Sequence, residues 1–465
     1  MRKLVLGALA AATVAALAMG STFSDVPSSR SGPDGARRLT AFGSCGDLVR
    51  YAKRHALRLT GPYGLSGADG RLAVPAVGAE EGAPEPAAPA EPASPVTNVQ
   101  EAGVDEPDIV KAKDGVIFVL AKGAIQAVDA SGPEPRLVGS LALENGWSSQ
   151  LLLVADRLLA INAGGFFVEP LAATEIAPPQ AVTTTLTAID VSDPAAMSVV
   201  STLTVDGWYV GARETGGTVR VVVASQPGGF EFTWPESDRP ADVRAAAKAN
   251  RNEIRSSTLA NWVPTYRVSA PGTGNGSTAR PLVPCTEVNR PRVFSGLGML
   301  SVLTIDLANG LDPVDTDAVM GAGETVYSSA TGLYVATQRW LDPAVLAAAE
   351  ELPAVSTAIH KFDVSIPDAT DYRASGSVPG YLLNQWSLSE HDGFLRVVST
   401  DAPAWWGGAG TDGASTVTVL AEQEGRLVTV GRVGGLGRGE RVYAVRFIGD
   451  LGYVVTFRQI DPLHV

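Results

Sequence analysis

Apolar residues along most of this chain come in runs of a few positions cut by turn pairs, not at the three-to-four spacing of helices. The stretch "DIVKAKDGVIFVLAKGAIQAVDAS" sets the pattern: a short run, Asp114-Gly115, a second run, Lys122-Gly123, and a third run ending at Asp129. Such pairs between β-rich runs predict tight hairpins. The ending returns as "AIDVSDP", "TIDLANG" and "KFDVSIP", which aligns Asp190, Asp306 and Asp363 at intervals near 60 residues, one of them doubled by a long insertion. A further unit, "STVTVLAEQEG", has Leu420 where the aspartate would stand, and "VYAVRFIGD", "YVVTFRQ" and "LHV" begin a sixth.

Self-similarity at this period, with four short strands per unit, predicts an all-β chain: a β-propeller of four-stranded blades over residues 98–465, five full and the start of a sixth. Each blade buries its faces against its neighbours, so the stack is one continuous core. Turns between first and second strands are tight. The long segments, 163–182, 226–298, 338–354 and 401–414, all fall between second and third strands. They emerge on one face with the blade-to-blade links, and insertions gathered on one face of a repeat array mark its binding side. Segment 226–298 includes an Ala/Arg-rich helix that ends before Pro264, placed either to cap this face or to receive the N-terminal helix. The run at "DPLHV" breaks off inside a third strand, so the repeat predicts an aspartate ending and a fourth strand past Val465, in a chain that continues.

Helical spacing appears near the N-terminus, where "CGDLVRYAKRHALRL" within residues 40–60 puts Leu48, Ala52 and Leu59 on one face. Residues 71–97 form an acidic Pro/Ala tract without apolar period, an extended linker. Ahead of both, residues 1–20 read as a signal peptide: Arg2 and Lys3, an apolar core from Leu4 to Ala18, and small residues at Ala16 and Ala18. The run is short for a membrane span, and no other segment is apolar enough to cross a bilayer once the signal is cleaved. The expected location is secreted, extracellular or cell-envelope.

Composition narrows the partners. The net charge is −13 and no stretch is densely basic, which argues against nucleic acid and equally against an anionic membrane surface. Fifty glycines and 31 prolines fit many short strands and turns. The two cysteines, Cys45 and Cys285, are expected to pair in an exported chain, closing a loop of about 240 residues; two separate buried thiols are the other reading.

Three stretches, "TNVQEAGVDEPDIVK", "GYLLNQWSLSEHDGFLRVVST" and "VYAVRFIGDLGYVVTFRQIDPLHV", resemble secreted bacterial proteins with a C-terminal β-propeller domain, distant relatives of the tryptophan-aspartate-repeat propellers. The resemblance covers roughly residues 40–465. It implies export, seven or eight blades in a complete protein, a chain running on past "DPLHV", and an aromatic residue where His464 stands. It implies no catalytic residue and no established activity, and the Trp-Asp and Gly-His signatures of the distant relatives are absent.

Candidate chemistry is sparse. "GAGTDG" at Gly408–Gly413 precedes a strand instead of the helix a dinucleotide fingerprint needs, so it reads as a loop. His55, His360, His391 and His464 share no metal spacing; His360 reads as packed between blades and His391 as a turn residue. "DPVDTDAVMGAGE" lacks the pattern of a calcium loop and reads as solvated. No metal or cofactor is expected. "GVDEPDIVK" is the acidic lead-in to blade one, and "TNVQ" before it is either plain lead-in or a strand clasping the last blade. Trp234, Trp262, Trp340, Trp405 and Trp406 lie in the insertions, Trp147 and Trp208 at blade links, and Trp386 in an inner strand. The five insertion tryptophans are the binding candidates, since an indole stacks on a sugar ring or anchors a protein partner. The expected function is therefore a non-enzymatic binding module for a protein or glycan of the cell envelope. The alternative is an extracellular carbohydrate-active enzyme, a glycoside hydrolase or lyase, with two carboxylates near the axis; Glu231 and Glu236 are loop candidates.

Overall fold

A computed structural model describes residues 39–65, 99–143, 149–163, 182–271, 278–292, 294–321, 323–338, 355–401, 414–457 and 463–465. The signal segment, the linker, "GAGTDG", Trp147, Trp340, Trp405 and Trp406 lie outside the described residues. Five antiparallel four-stranded meanders follow in chain order. Blade 1 is Val110–Lys113, Val116–Ala121, Ala124–Asp129 and Arg136–Ala142. Blade 2 is Ser149–Val154, Arg157–Asn162, Thr183–Asp190 and Ser198–Asp206. Blade 3 is Trp208–Thr215, Thr218–Ser225, Met299–Asp306 and Asp315–Met320. Blade 4 is Gly323–Ser328, Gly332–Gln338, Ser356–Asp363 and Asp371–Pro379. Blade 5 is Leu388–His391, Phe394–Thr400, Ser415–Gln423 and Arg426–Leu436. A sixth sheet holds Arg441–Ile448, Leu451–Phe457 and Leu463–His464. Every insertion falls between second and third strands, as the repeat predicts.

The recurrent aspartate has a local cause. Asp129, Asp190 and Asp363 each close a third strand and accept from the backbone N–H two residues on, at 3.0, 2.9 and 2.9 Å, and from the hydroxyl of the same serine (Ser131, Ser192, Ser365). Asp306 does the same to the Ala308 N–H at 3.1 Å. These are Asx turns that hold the exit toward the fourth strand. Blade 5 replaces them with a Glu424-Gly425 hairpin, both residues at positive φ, and its register corrects the alignment: Phe394 pairs with Ala421 as Gly332 pairs with Asp363, so Ala421 stands at the aspartate position and Leu420 is a core residue.

The core lies between blades. Alternate residues of one strand serve opposite neighbours: Leu158 packs toward blade 1 and Leu159 toward blade 3, while Val221 faces blade 2 and Val222 faces blade 4. Blades 4 and 5 share Tyr334, Ile359, Leu395 and Leu420; Val398, Val445 and Val454 join blade 5 to the sixth sheet. With both faces buried, the second strand of blade 3 has no exposed position, so these strands read as apolar runs without strict alternation. His360 sits in this packing with no exposure, its ring nitrogens on Ser375 Oγ at 2.6 Å and Thr337 Oγ1 at 3.1 Å, and burial pulls its pKa down to about 4.

Two local expectations need correction. "DTDAVM" is the fourth strand of blade 3 and not a solvated loop, because it pairs along Met299–Asp306 and buries Ala318, Val319 and Met320. Trp386 is in the short 3₁₀ turn Gln385–Ser387 that precedes the first strand of blade 5, half-buried under the Arg446 guanidinium at 4.5 Å.

The blade 3 strand also buries Asp317, whose carboxyl is pushed up to about 8, first by desolvation and then by Asp315, Glu287 and Asp371. A folded-state pKa above the unfolded one means the native state keeps a proton that the unfolded chain loses near pH 4. Stability at this site is therefore full at low pH and falls as pH rises from about 4 to about 8. Asp317→Asn is expected to raise the melting temperature by several degrees more at pH 8 than at pH 5, read by thermal unfolding at both. An equal shift at the two pH values would contradict the assignment.

Candidate functional site

Strand Leu39–Ala41 extends blade 3 outward by pairing with Val288–Pro291, which lies parallel to Asp315–Met320. Helix α1, Cys45–Leu59, follows, with Ser44 capping it by accepting from the Asp47 N–H at 3.2 Å. Cys45 and Cys285 form a disulfide with Cα atoms 5.1 Å apart. Helix α2, Pro240–Ser256, comes from the 226–298 insertion and runs antiparallel to α1: Lys53 Nζ donates to the Arg255 carbonyl at 2.7 Å, and Asn250 meets Gly61 just past α1. Of the two placements open from sequence, the insertion receives the N-terminal helix. Leu48, Ala52, Ala56, Ile254 and Cys285 belong to one core with Leu186, Val221 and Leu303, so this cap is continuous with blades 2 and 3.

The tryptophans of this insertion separate sharply. Trp262 is 3% exposed, with its indole N–H on Ser257 Oγ at 3.1 Å and Phe230 edge-on at 5.3 Å. It anchors the insertion from inside and offers no ring face to a ligand. Trp234 is 56% exposed and meets Tyr63, 55% exposed, with centroids 5.9 Å apart and planes at 69°. What positions the pair is Asn250, which is fully buried. Its Oδ1 accepts from the Thr233 N–H at 2.7 Å, and its Nδ2 reaches the carbonyls of Gly61, Pro62 and Thr233 at 3.1, 3.2 and 3.0 Å. One buried amide thus bonds the residue before each exposed ring, or the residue before that. Gly64 (φ +95°) completes the turn after Tyr63, where a Cβ would come within 2.9 Å of Phe232. Tyr63 was not a sequence candidate; nothing in "GPYG" marks it beyond turn chemistry. Glu231 and Glu236 are exposed, and Trp208 is half-buried against the blade 3–4 core.

The lead-in forms a second polar site. Residues 100–108 run across the first strands of four blades. Gln100 donates to the Gln385 and Leu388 carbonyls of blade 5 at 3.3 and 2.9 Å, and Glu101 accepts from Tyr327 of blade 4 at 2.7 Å. Asp105 pairs by its backbone with Glu214 of blade 3, and Asp108 with Leu151 of blade 2. Lys111, in blade 1, places its ammonium on both oxygens of Asp105 at 2.7 and 2.8 Å and on the Glu106 carbonyl at 2.6 Å. Arg213 donates to Gln385 Oε1 at 2.6 Å and lies 3.5 Å from Glu106. Burial raises the pKa of Glu106 and Glu214, against the pull of Arg213 on the first and of the Gly217 N–H on the second. The lead-in is therefore a strap tying inner strands together, and its carboxylates are held by protein partners. Among the described residues no cluster of His, Cys, Asp and Glu is arranged to hold a metal ion, and no helix is long and apolar enough to cross a membrane.

A family model described as "Beta propeller domain" matches residues 95–465. An uncharacterized protein of Archaeoglobus fulgidus is 42% identical over 109 residues, 23% of this chain and 15% of the relative. One from Methanocaldococcus jannaschii is 41% identical over 91 residues, 20% of this chain and 14% of its own length. The matched part thus spans about a seventh of these relatives. Among solved structures, an uncharacterized protein of Listeria monocytogenes aligns over 72% of this chain and 67% of its own at 9% identity, TM-score 0.24. Drosophila Plexin A, in complex with Semaphorin 1b, aligns over 76% and 72% at 8% identity, TM-score 0.29.

Proposed function

This chain belongs to the Beta propeller domain family, and from that premise we propose that it is an exported, non-enzymatic binding module that takes a protein or glycan of the cell envelope on its elaborated face. The observation that carries this is the Tyr63–Trp234 pair: two large rings left in water on a base fixed by a buried asparagine and a disulfide. Exposed rings on a rigid support bind with little ordering cost, and an indole face suits the C–H face of a sugar. The enzyme alternative draws less support: its loop candidates Glu231 and Glu236 are exposed in the insertion, and the lead-in carboxylates Asp105, Glu106 and Glu101 are engaged by Lys111, Arg213 and Tyr327.

Co-sedimentation with insoluble peptidoglycan tests the module. Trp234→Ala and Tyr63→Ala are expected to weaken retention about tenfold each, the size of one lost anchor, with the melting temperature unchanged because both rings are exposed. Retention unaltered in both variants would remove the pair as the site. Release of soluble sugar fragments by the parent protein would point to the enzyme instead.

A further inference from the structure

The two cap helices carry their cations in rows. On α1, Arg50, Arg54 and Arg58 recur every four residues and are all exposed, opposite the buried Leu48, Ala52 and Ala56. On α2, Arg244, Lys248, Arg251 and Arg255 follow the i, i+4, i+7, i+11 rule of a single face, all exposed, opposite Ala246, Asn250 and Ile254. Because each helix lies with its apolar side on the body and the two pack antiparallel, both rows face water. Among the described residues the carboxylate that pairs with a row member is Asp47, with Arg50. A chain of net charge −13 thus concentrates seven exposed cations on one cap, and its remaining surface is more acidic than the average.

We propose that this basic face docks on the headgroup plane of an anionic phospholipid bilayer. The shape favours a plane over a strand. Two antiparallel helices, the longer about 25 Å at 1.5 Å per residue, spread the cations in two rows, one on each helix, instead of along one line. Small exposed residues, Ala245, Ala249 and Asn252, flank the row on α2 and leave its cationic ends foremost. No aromatic residue stands in either row to stack on a base, as single-stranded nucleic acid would require. The acidic remainder would be repelled by the same surface, so the molecule would approach cap first. The aromatic pair plays no part in this, and the two readings fail separately.

The test is partition of the full chain onto phosphatidylcholine vesicles with and without phosphatidylglycerol, at low and physiological salt. Binding is expected only with the anionic lipid and is expected to fall as salt screens it. Arg244→Gln/Lys248→Gln and, on the other helix, Arg50→Gln/Arg54→Gln should each weaken it by about fivefold per residue removed. Arg426→Gln, an exposed cation of blade 5 outside the cap, should leave the dependence on anionic lipid intact. The apolar run at residues 4–18 is common to all variants, so the readout is the ratio to the parent. Equal partition onto neutral vesicles, or no change in both double variants, would overturn the proposal. So would tighter binding to a soluble polyphosphate than to the vesicles, which would assign the face to a polymer.

Discussion

Lys111→Met is expected to lower the stability of the protein by about 3 kcal/mol, the low end of what breaking a buried ion pair costs. The Lys111 side chain is 4% exposed and that of Asp105 is 23%, so the aspartate keeps some contact with water and the full penalty is not reached. The loss has two parts. The ammonium makes three charge-assisted bonds, two to Asp105 and one to the Glu106 carbonyl, and methionine replaces none of them. The Asp105 carboxylate then loses the ammonium that its site is built around. Neutralising it in Lys111→Met/Asp105→Asn should therefore recover part of the loss, a coupling that a mere packing defect would not give. Urea unfolding at constant slope measures both. A single variant as stable as the parent would show that the strap is not held by this pair, and strictly additive losses would show that the charge left behind is harmless.

Reducing the Cys45–Cys285 bridge, or replacing both by serine, is expected to destabilise the protein by about 2–5 kcal/mol. The two cysteines are 240 residues apart, and the chain-entropy estimate for a loop that long is near the top of this range, in a model-dependent way. The loss should also be local. Among the described residues α1 is held by the core contacts of Leu48, Tyr51, Ala52 and Ala56, by His55 stacked on Phe294 and by the bond from Lys53, and the core cluster it shares includes no blade 5 residue. Amide exchange should accelerate across Cys45–Leu59 and Leu39–Ala41 and stay unchanged in Phe394–Thr400. Uniform acceleration would mean that the bridge supports the whole stack; no change at either place would mean that the cap is held without it.

Much of the fold was legible because its signals are local. An Asx turn needs only an aspartate and the N–H two residues on, as at Asp129 and Asp306, so the ending repeats in four of the five blades. The period of α1 is visible because half its surface packs, and its limits match the stretch read from sequence. Asp317 was misread because acidity alone was weighed, while its strand pairing is set by Met299–Asp306. The tryptophans mark the limit more sharply. Trp234 and Trp262 lie in the same insertion with similar surroundings in sequence, yet one is in water and the other is in the core. The difference is made by Asn250, Phe230 and Ser257, none of which is distinctive in the sequence.

By itself the sequence determined the repeat, the strand boundaries at the insertions, the helical period of α1 and the presence of two cysteines, because hydrogen bonding over a few residues and the 2.0 or 3.6 period write themselves into neighbouring positions. Only the tertiary structure decided that the lead-in crosses four blades, that Tyr63 meets Trp234, and that two modest basic rows, far apart in the chain, become one face. Charge and aromatic surface act through distance in space. A net charge of −13 with no densely basic stretch describes the chain correctly and still conceals where its cations gather.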